Sequence, residues 1–116
     1  MQKLTTLTLI SVTVLAGCAT PPSKIEPATV LPAAYADLDC RALEARRIEA
    51  AAKLADAEKR QREAVAADAA GVAIAFVPVS RLTGDAHEEV ALHKGQVATI
   101  RQVQLSKSCI MRAPQG

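Results

Sequence analysis

Three cysteines (Cys18, Cys40, Cys109), two histidines (His87, His93) and one carboxylate beside an apolar stretch (Asp68) are the groups in this chain whose chemistry could go beyond packing. A structural zinc site draws on Cys and His at short spacing, and two helical ligands face the same way at i and i+4. His87 and His93 stand six apart and the cysteines are scattered, so the pattern does not point to a metal. No C-x-x-C or C-x-x-C-H occurs, the signatures of dithiol exchange and covalent haem attachment. Asp68 adjoins the uncharged run 69–79 and could be pictured as a buried acid with a raised pKa. It has no titratable partner in the sequence, and a place on a helix surface or seam is the plainer reading. Catalysis needs convergent titratable groups in a concave site; nothing here supplies them, so the expectation is a non-enzyme without metal or cofactor.

The position of Cys18 carries more information. Lys3 is followed by Leu4 to Ala16, thirteen residues without a charge, and then by Gly17 and the cysteine. A cation, an apolar run and a small-residue site make an export signal over residues 1–17. The run is too short, and too rich in threonine, for the roughly 20 apolar residues of a membrane-spanning helix. Leu15-Ala16-Gly17-Cys18 resembles the bacterial lipobox. That resemblance implies a mature chain beginning at Cys18, acylated on sulfur and amine, the only covalent group expected. Several acyl chains, at about 0.8 kcal/mol per buried CH₂, anchor far more firmly than one. Ala19 rather than aspartate follows the cysteine, which by analogy with enteric lipoproteins favours the outer membrane, facing the periplasm, over inner-membrane retention.

With Cys18 acylated, Cys40 and Cys109 form an even pair in an oxidising compartment, where disulfides persist. Closing a loop of that length stabilises a fold by roughly 4 kcal/mol in the chain-entropy account.

The elements that must position these groups are sparse in large side chains. Aromatic content is 2% with no tryptophan, so a thin packing seam is expected rather than a broad core. Residues 18–36 contain "ATPPSKIEPATVLPAA", with four prolines, and read as a lipid-anchored, extended linker. At about 3.1 Å per residue it would hold the rest of the chain up to roughly 50 Å from the membrane. From Asp37 to Ala70 there is no Gly or Pro, and Ala, Leu, Arg, Lys and Glu predominate, all strong helix formers. Asp37-Arg41, Glu49-Lys53, Asp56-Arg60 and Glu58-Arg62 place acid before base at i, i+4. The stripe Cys40, Leu43, Arg47, Ala50, Leu54, Ala57, Gln61, Ala64, Asp68 suits close packing of one neighbouring helix. After the uncharged run, Pro78 disfavours helix at Val77, and Asp85 with Glu88 suggests a capping box. A second helix then runs from Ala86 to about Cys109, with Val90, Val97, Ile100 and Val103 on one face. Gly95 costs that helix about 1 kcal/mol relative to Ala, and nothing in the sequence accounts for it. Residues 110–116 read as a disordered tail.

"YADLDC" at 35–40, Gln61, Asp68, the apolar stretch around Gly71 ending in proline, "LTGDAHEEVALHKGQ" at 82–96 and "KSC" at 107–109 together resemble a group of small uncharacterised bacterial lipoproteins. The resemblance implies two cysteines bracketing a helical hairpin, and an envelope address rather than an activity. The expected fold is all-α: a two-helix antiparallel hairpin over 37–109, after a signal peptide and an extended N-terminal linker. Its second arm, Ala86 to Cys109, is 24 residues, about 36 Å at 1.5 Å per residue. The same distance from Cys40 reaches Glu63, leaving 64–85 to project or fold back. This surplus contains the small-residue ladder Ala67-Gly71-Ala75, which can admit a close helix neighbour. With Phe76 and Pro78 it forms the expected interaction tip. The expected partners are the membrane, through the lipid, and an envelope protein or a second copy. Residues 18–116 contain 13 Lys+Arg and 12 Asp+Glu, without a basic block, so nucleic acid is not expected. The expected function is a non-catalytic interaction or structural module of the envelope. The alternative is a membrane-perturbing lipoprotein using 69–79.

Overall fold

The computed structural model describes residues 18–110; the signal segment 1–17 and the tail from 111 lie outside the described residues. The described chain is all-helical and contains no strand. It has three helices, α1 (Cys40–Ala75), α2 (Ser80–Thr83) and α3 (His87–Ser106), and short 3-10 turns at Pro22–Lys24 and Pro32–Tyr35.

α1 starts where a cap is available. The Asp39 carboxylate accepts a hydrogen bond from the Ala42 N–H at 2.8 Å, satisfying one of the open donors of a helix start. Asp37 therefore lies ahead of the helix, out of i, i+4 register with Arg41. The other three anticipated pairs form, Glu49–Lys53 at 2.8 Å, Asp56–Arg60 at 3.1 Å and Glu58–Arg62 at 3.9 Å. α1 runs five residues past Ala70, where the stretch free of Gly and Pro ends. Gly71 does not break it, because the returning chain closes against it. A Cβ at Gly71 would lie 2.7 Å from both the Val77 carbonyl oxygen and Val79 Cγ2.

The packing seam follows the expected stripe. α1 buries Leu43, Ala50, Ala57, Gln61 and Asp68, and α3 buries Val90, Ile100 and Val103 with Val97 packed alongside. Side chains taken in order along α1 meet partners in reverse order along the returning chain. Gln104 donates to Glu44 at 2.9 Å, Arg60 donates to both Glu89 oxygens at 3.0 and 2.5 Å, and Ser80 donates to Asp68 at 2.6 Å. Cys40 and Cys109 are joined by a disulfide, their Cα atoms 5.4 Å apart.

Two expectations need correction. Asp85 and Glu88 do not form a capping box. Asp85 accepts instead from the His87 N–H at 3.2 Å and from Gln61 Nε2 at 3.1 Å, and α3 begins at His87. The larger correction concerns 18–36, which is not a free spacer. From Ala19 to Leu38 the chain lies along the helices in the same direction as α3. Ile25 is 3% exposed and packs with Ala57 and Val90. The Ala28 N–H donates to the Ala91 carbonyl at 2.8 Å. Lys94 Nζ donates to the carbonyls of Pro22 and Ile25, Thr99 Oγ1 to that of Val30, and Lys107 Nζ to those of Ala36 and Leu38. A proline-rich segment cannot fill a backbone ladder with its own donors. Cationic and hydroxyl side chains of α3 and of Lys107, just after it, serve its carbonyls instead.

This docking accounts for Gly95. A Cβ there would collide with the Ala28 carbonyl oxygen and stand 3.1 Å from Val30 Cγ2. Gly95→Ala raises helix propensity by about 1 kcal/mol, yet forces backbone apart in a filled seam, a change that costs ~1–3 kcal/mol. The expected outcome is net destabilisation in urea, with faster hydrogen exchange of the Ala28 amide. A gain in stability would contradict the docked arrangement.

Candidate functional site

The described residues place one carboxylate fully inside the protein. Asp68, near the end of α1, is 1% exposed. One oxygen, Oδ2, accepts from the Ala19 N–H at 2.5 Å and from the Ser80 hydroxyl at 2.6 Å, and Oδ1 accepts from the Ser80 N–H at 2.6 Å. Burial pushes this carboxyl up, but hydrogen bonds from the Ser80 side chain and from the Ser80, Ala19 and Val79 backbone outweigh it, leaving the pKa below the ordinary value. A carboxylate accepting several such bonds is held ionised. The raised-pKa acid considered from sequence is thus reversed in sign. Asp68 is a seam residue that clamps three pieces of chain: α1, the return after Pro78, and the first residues of the described chain.

Two helical turns back, Gln61 is 0% exposed and joins the same two segments to α1 through a neutral side chain. Its Nε2 donates to the Thr20 carbonyl at 2.8 Å and to Asp85, while its Oε1 accepts from the Ala86 N–H at 2.8 Å. Sequence reasoning placed Gln61 and Asp68 on the seam without finding their partners. Ala19, Thr20 and Ser80 carry no signal beyond small size, because Ala19 and Thr20 bond through backbone alone and Ser80 through its N–H as well as its hydroxyl.

Beyond Asp68 the chain forms an apolar end. Ile74, Phe76, Val77 and Leu82 are 83%, 81%, 44% and 79% exposed. Phe76 caps α1 in the left-handed region, φ 58° and ψ 20°, its N–H bonded to the Val72 carbonyl at 3.2 Å. That position is usually glycine, and the left-handed conformation costs an L-residue roughly 1–2 kcal/mol. The expected tip set is therefore divided. Phe76 and Ala75 are on the surface, Pro78 is buried in the return, Ala67 is half-buried, and Gly71 is covered by the chain's own Val77 and Val79. The ladder Ala67-Gly71-Ala75 is occupied intramolecularly at its centre, so Gly71→Leu would disturb the return itself. Leu82, on α2, belongs to the exposed apolar group and lay outside the segment expected from sequence.

Cys18, one residue ahead of the clamped Ala19, is a free, half-buried thiol. The disulfide lies at the opposite end of α1. Among the described residues no group of three or more His, Cys, Asp or Glu converges as a metal site. His93 Nδ1 is 2.8 Å from Gln96 Oε1 and His87 is exposed. A cleft of about 200 Å³ opens between Tyr35, Leu38, Arg46, Glu49, Lys53 and Gln96, its carboxylate already paired with Lys53 at 2.8 Å. No protein-family model, curated protein or solved structure matches the chain.

The clamp has a defined pH signature. Asp68 has a depressed pKa in the folded state, so its contribution is fully present above the unfolded value of about 3.9. It is lost as pH falls through the lower folded value. Asp68→Asn turns an amide toward at least one of the donors and strands it, at a cost of ~1–3 kcal/mol. Urea denaturation should show that deficit unchanged between pH 7 and 5 and shrinking below about pH 4, where wild type loses the same interaction. A deficit that persists undiminished in acid would show that Asp68 acts without its charge.

Proposed function

We propose that this chain is a lipid-anchored cell-envelope protein, acylated at Cys18, that serves as a non-catalytic interaction or structural module on the periplasmic side of the outer membrane. The helical part is read as a two-helix antiparallel hairpin, α1 against α3, closed at one end by the Cys40–Cys109 bond and at the other by Asp68. The reverse-order pairs Glu44–Gln104 and Arg60–Glu89 support that reading.

The observation that carries the proposal is the bond between Asp68 and the Ala19 N–H. A free proline-rich tether would leave an anchored domain loosely held at a distance. Here the residue after the cysteine is buried and held by an ionised carboxylate, which suits a rigid mount on an anchor. From Asp68 to Cys40 is 28 residues of α1, about 42 Å of helix, so the mount would present the disulfide end well away from the anchored end. The exposed charges of α1, including Arg46, Lys59, Arg62 and Glu63, then offer a polar face to an envelope partner or a second copy.

A second reading, a membrane-perturbing lipoprotein, draws support from the exposed Ile74, Phe76 and Leu82. No described helix is long and apolar enough to cross a membrane, so this reading would require damage from one face. It is tested by dye release from liposomes carrying the acylated protein. Retained dye with protein bound favours the module; release favours the second reading.

The anchored reading is tested at Cys18. Mass spectrometry of protein from its native host should find a diacylated or triacylated N-terminal cysteine, and Cys18→Ala should leave the protein unprocessed or released from the membrane fraction. A mature N-terminus elsewhere, without acyl mass, would overturn it.

A further inference from the structure

We infer that the apolar end formed by residues 69–83 is seated in the surface of the bilayer that holds the lipid anchor, with Ile74, Phe76, Val77 and Leu82 among the upper acyl chains. The inference rests on acylation at Cys18 and adds a second membrane contact, made by protein side chains.

Five observations carry it. Seven large apolar side chains are exposed among the described residues, and four of them fall between positions 74 and 82. The other three, Leu31, Ile48 and Leu92, are dispersed along the body. Over the same stretch charge is nearly absent. Residues 69–80 contain none, and Arg81 alone is charged between 69 and 84, a single cation suited to the level of lipid phosphates.

The position of the anchor names the occupant. Cys18 precedes Ala19, whose N–H is fixed on Asp68, and Asp68 is bonded to Ser80 at the base of the apolar end. Consecutive Cα atoms are about 3.8 Å apart, so acyl chains leaving Cys18 enter the membrane beside this end. The end cannot move far from the bilayer while the Asp68 clamp is closed. A protein partner would have to displace the lipid surface already there.

The depth also agrees. Eight residues of α1 separate Asp68 from Phe76, about 12 Å along the helix axis. Apolar faces of interfacial elements sink ~5–10 Å into the headgroup and acyl boundary. An anchor at the headgroup level beside Asp68 thus lets the end reach the acyl chains without crossing them. Finally, Phe76 holds a left-handed backbone, φ 58°, and is 81% exposed. Such strain at an exposed aromatic has a use when the ring enters an apolar phase.

The chain has no tryptophan, so single substitutions report cleanly. Full-length protein carrying Phe76→Trp, Leu82→Trp or, as a body control, Ile48→Trp would be purified in processed form. Each would be reconstituted in vesicles of phosphatidylethanolamine and phosphatidylglycerol, with and without lipids brominated near the carbonyl end. Circular dichroism and the intact disulfide verify the fold of each variant. The expected result is blue-shifted emission at positions 76 and 82, with most of it lost to brominated lipid, and neither effect at position 48. Equal quenching at all three positions would mean that the molecule lies flat, and overturns the inference. Blue-shifted but unquenched emission at 76 and 82 would place a second copy or another protein on the end, and overturns it as well. Solvent-exposed, unquenched emission at 76 and 82 does the same. The mass of the same preparations separates the two levels. Missing acyl groups would remove the anchored reading itself, whereas acylated protein with unquenched tryptophans removes only the seated end.

Discussion

A carboxylate taken out of water must be compensated by donors at close range, and in this protein the whole of one end is arranged to do that. Asp68 is 1% exposed and accepts from the Ala19 N–H, the Ser80 N–H and the Ser80 hydroxyl. An unpaired charge at that position would be intolerable. The return after Pro78 and the first residues of the described chain are thereby required to converge on α1. Gln61 extends the constraint two turns further with Thr20, Asp85 and Ala86. Between them, these two side chains hold both backbone segments that pass this end of α1.

The interior between the clamp and the disulfide is modest. Ala50, Ala57, Leu43, Val90, Ile100 and Val103 bring little apolar area per residue, so hydrophobic burial alone, at about 25 cal/mol per Å², leaves a narrow seam. The two ends are tied by other means: a covalent bond between Cys40 and Cys109 at one, hydrogen bonds to an anion at the other. Near the disulfide, hydrogen bonds from Arg47 and then Gln104 lower the Glu44 pKa to about 2. Arg60 likewise lowers that of Glu89 midway along the bundle. Polar contacts across the seam set which residue of α1 meets which of α3, a specification that alanines cannot make.

What could be read from sequence divides along physical lines. The helical stripe of α1, the apolar face of α3 and the pairs Glu49–Lys53 and Asp56–Arg60 are local periodicities, and they appear where the residues put them. The Cys40–Cys109 pairing followed from parity. The packed N-terminal segment was not legible, since its carbonyls are served by Lys94, Thr99 and Lys107, far away in the chain. Its prolines look the same in a docked strap as in a spacer. Gly95 was the one visible trace, a helix-weakening residue with no local reason, and only the close approach of the Ala28 carbonyl explains it. The candidate site was legible as an apolar stretch but not as a clamp, because Ala19 acts through its N–H alone and Ser80 through both its N–H and a small hydroxyl.

The strap also imposes an order in time. Ala19 and Asp68 are separated by 49 positions, and Pro22 and Lys94 by 72, so docking requires closure of long loops. Such contacts come late, after the local helices that reward them exist. The segment synthesised first among the described residues is therefore the last to be locked. Before α3 has packed, the Ala19 N–H and the carbonyls of Pro22 and Ile25 lack their partners; in the complete fold they are bonded to Asp68 and Lys94.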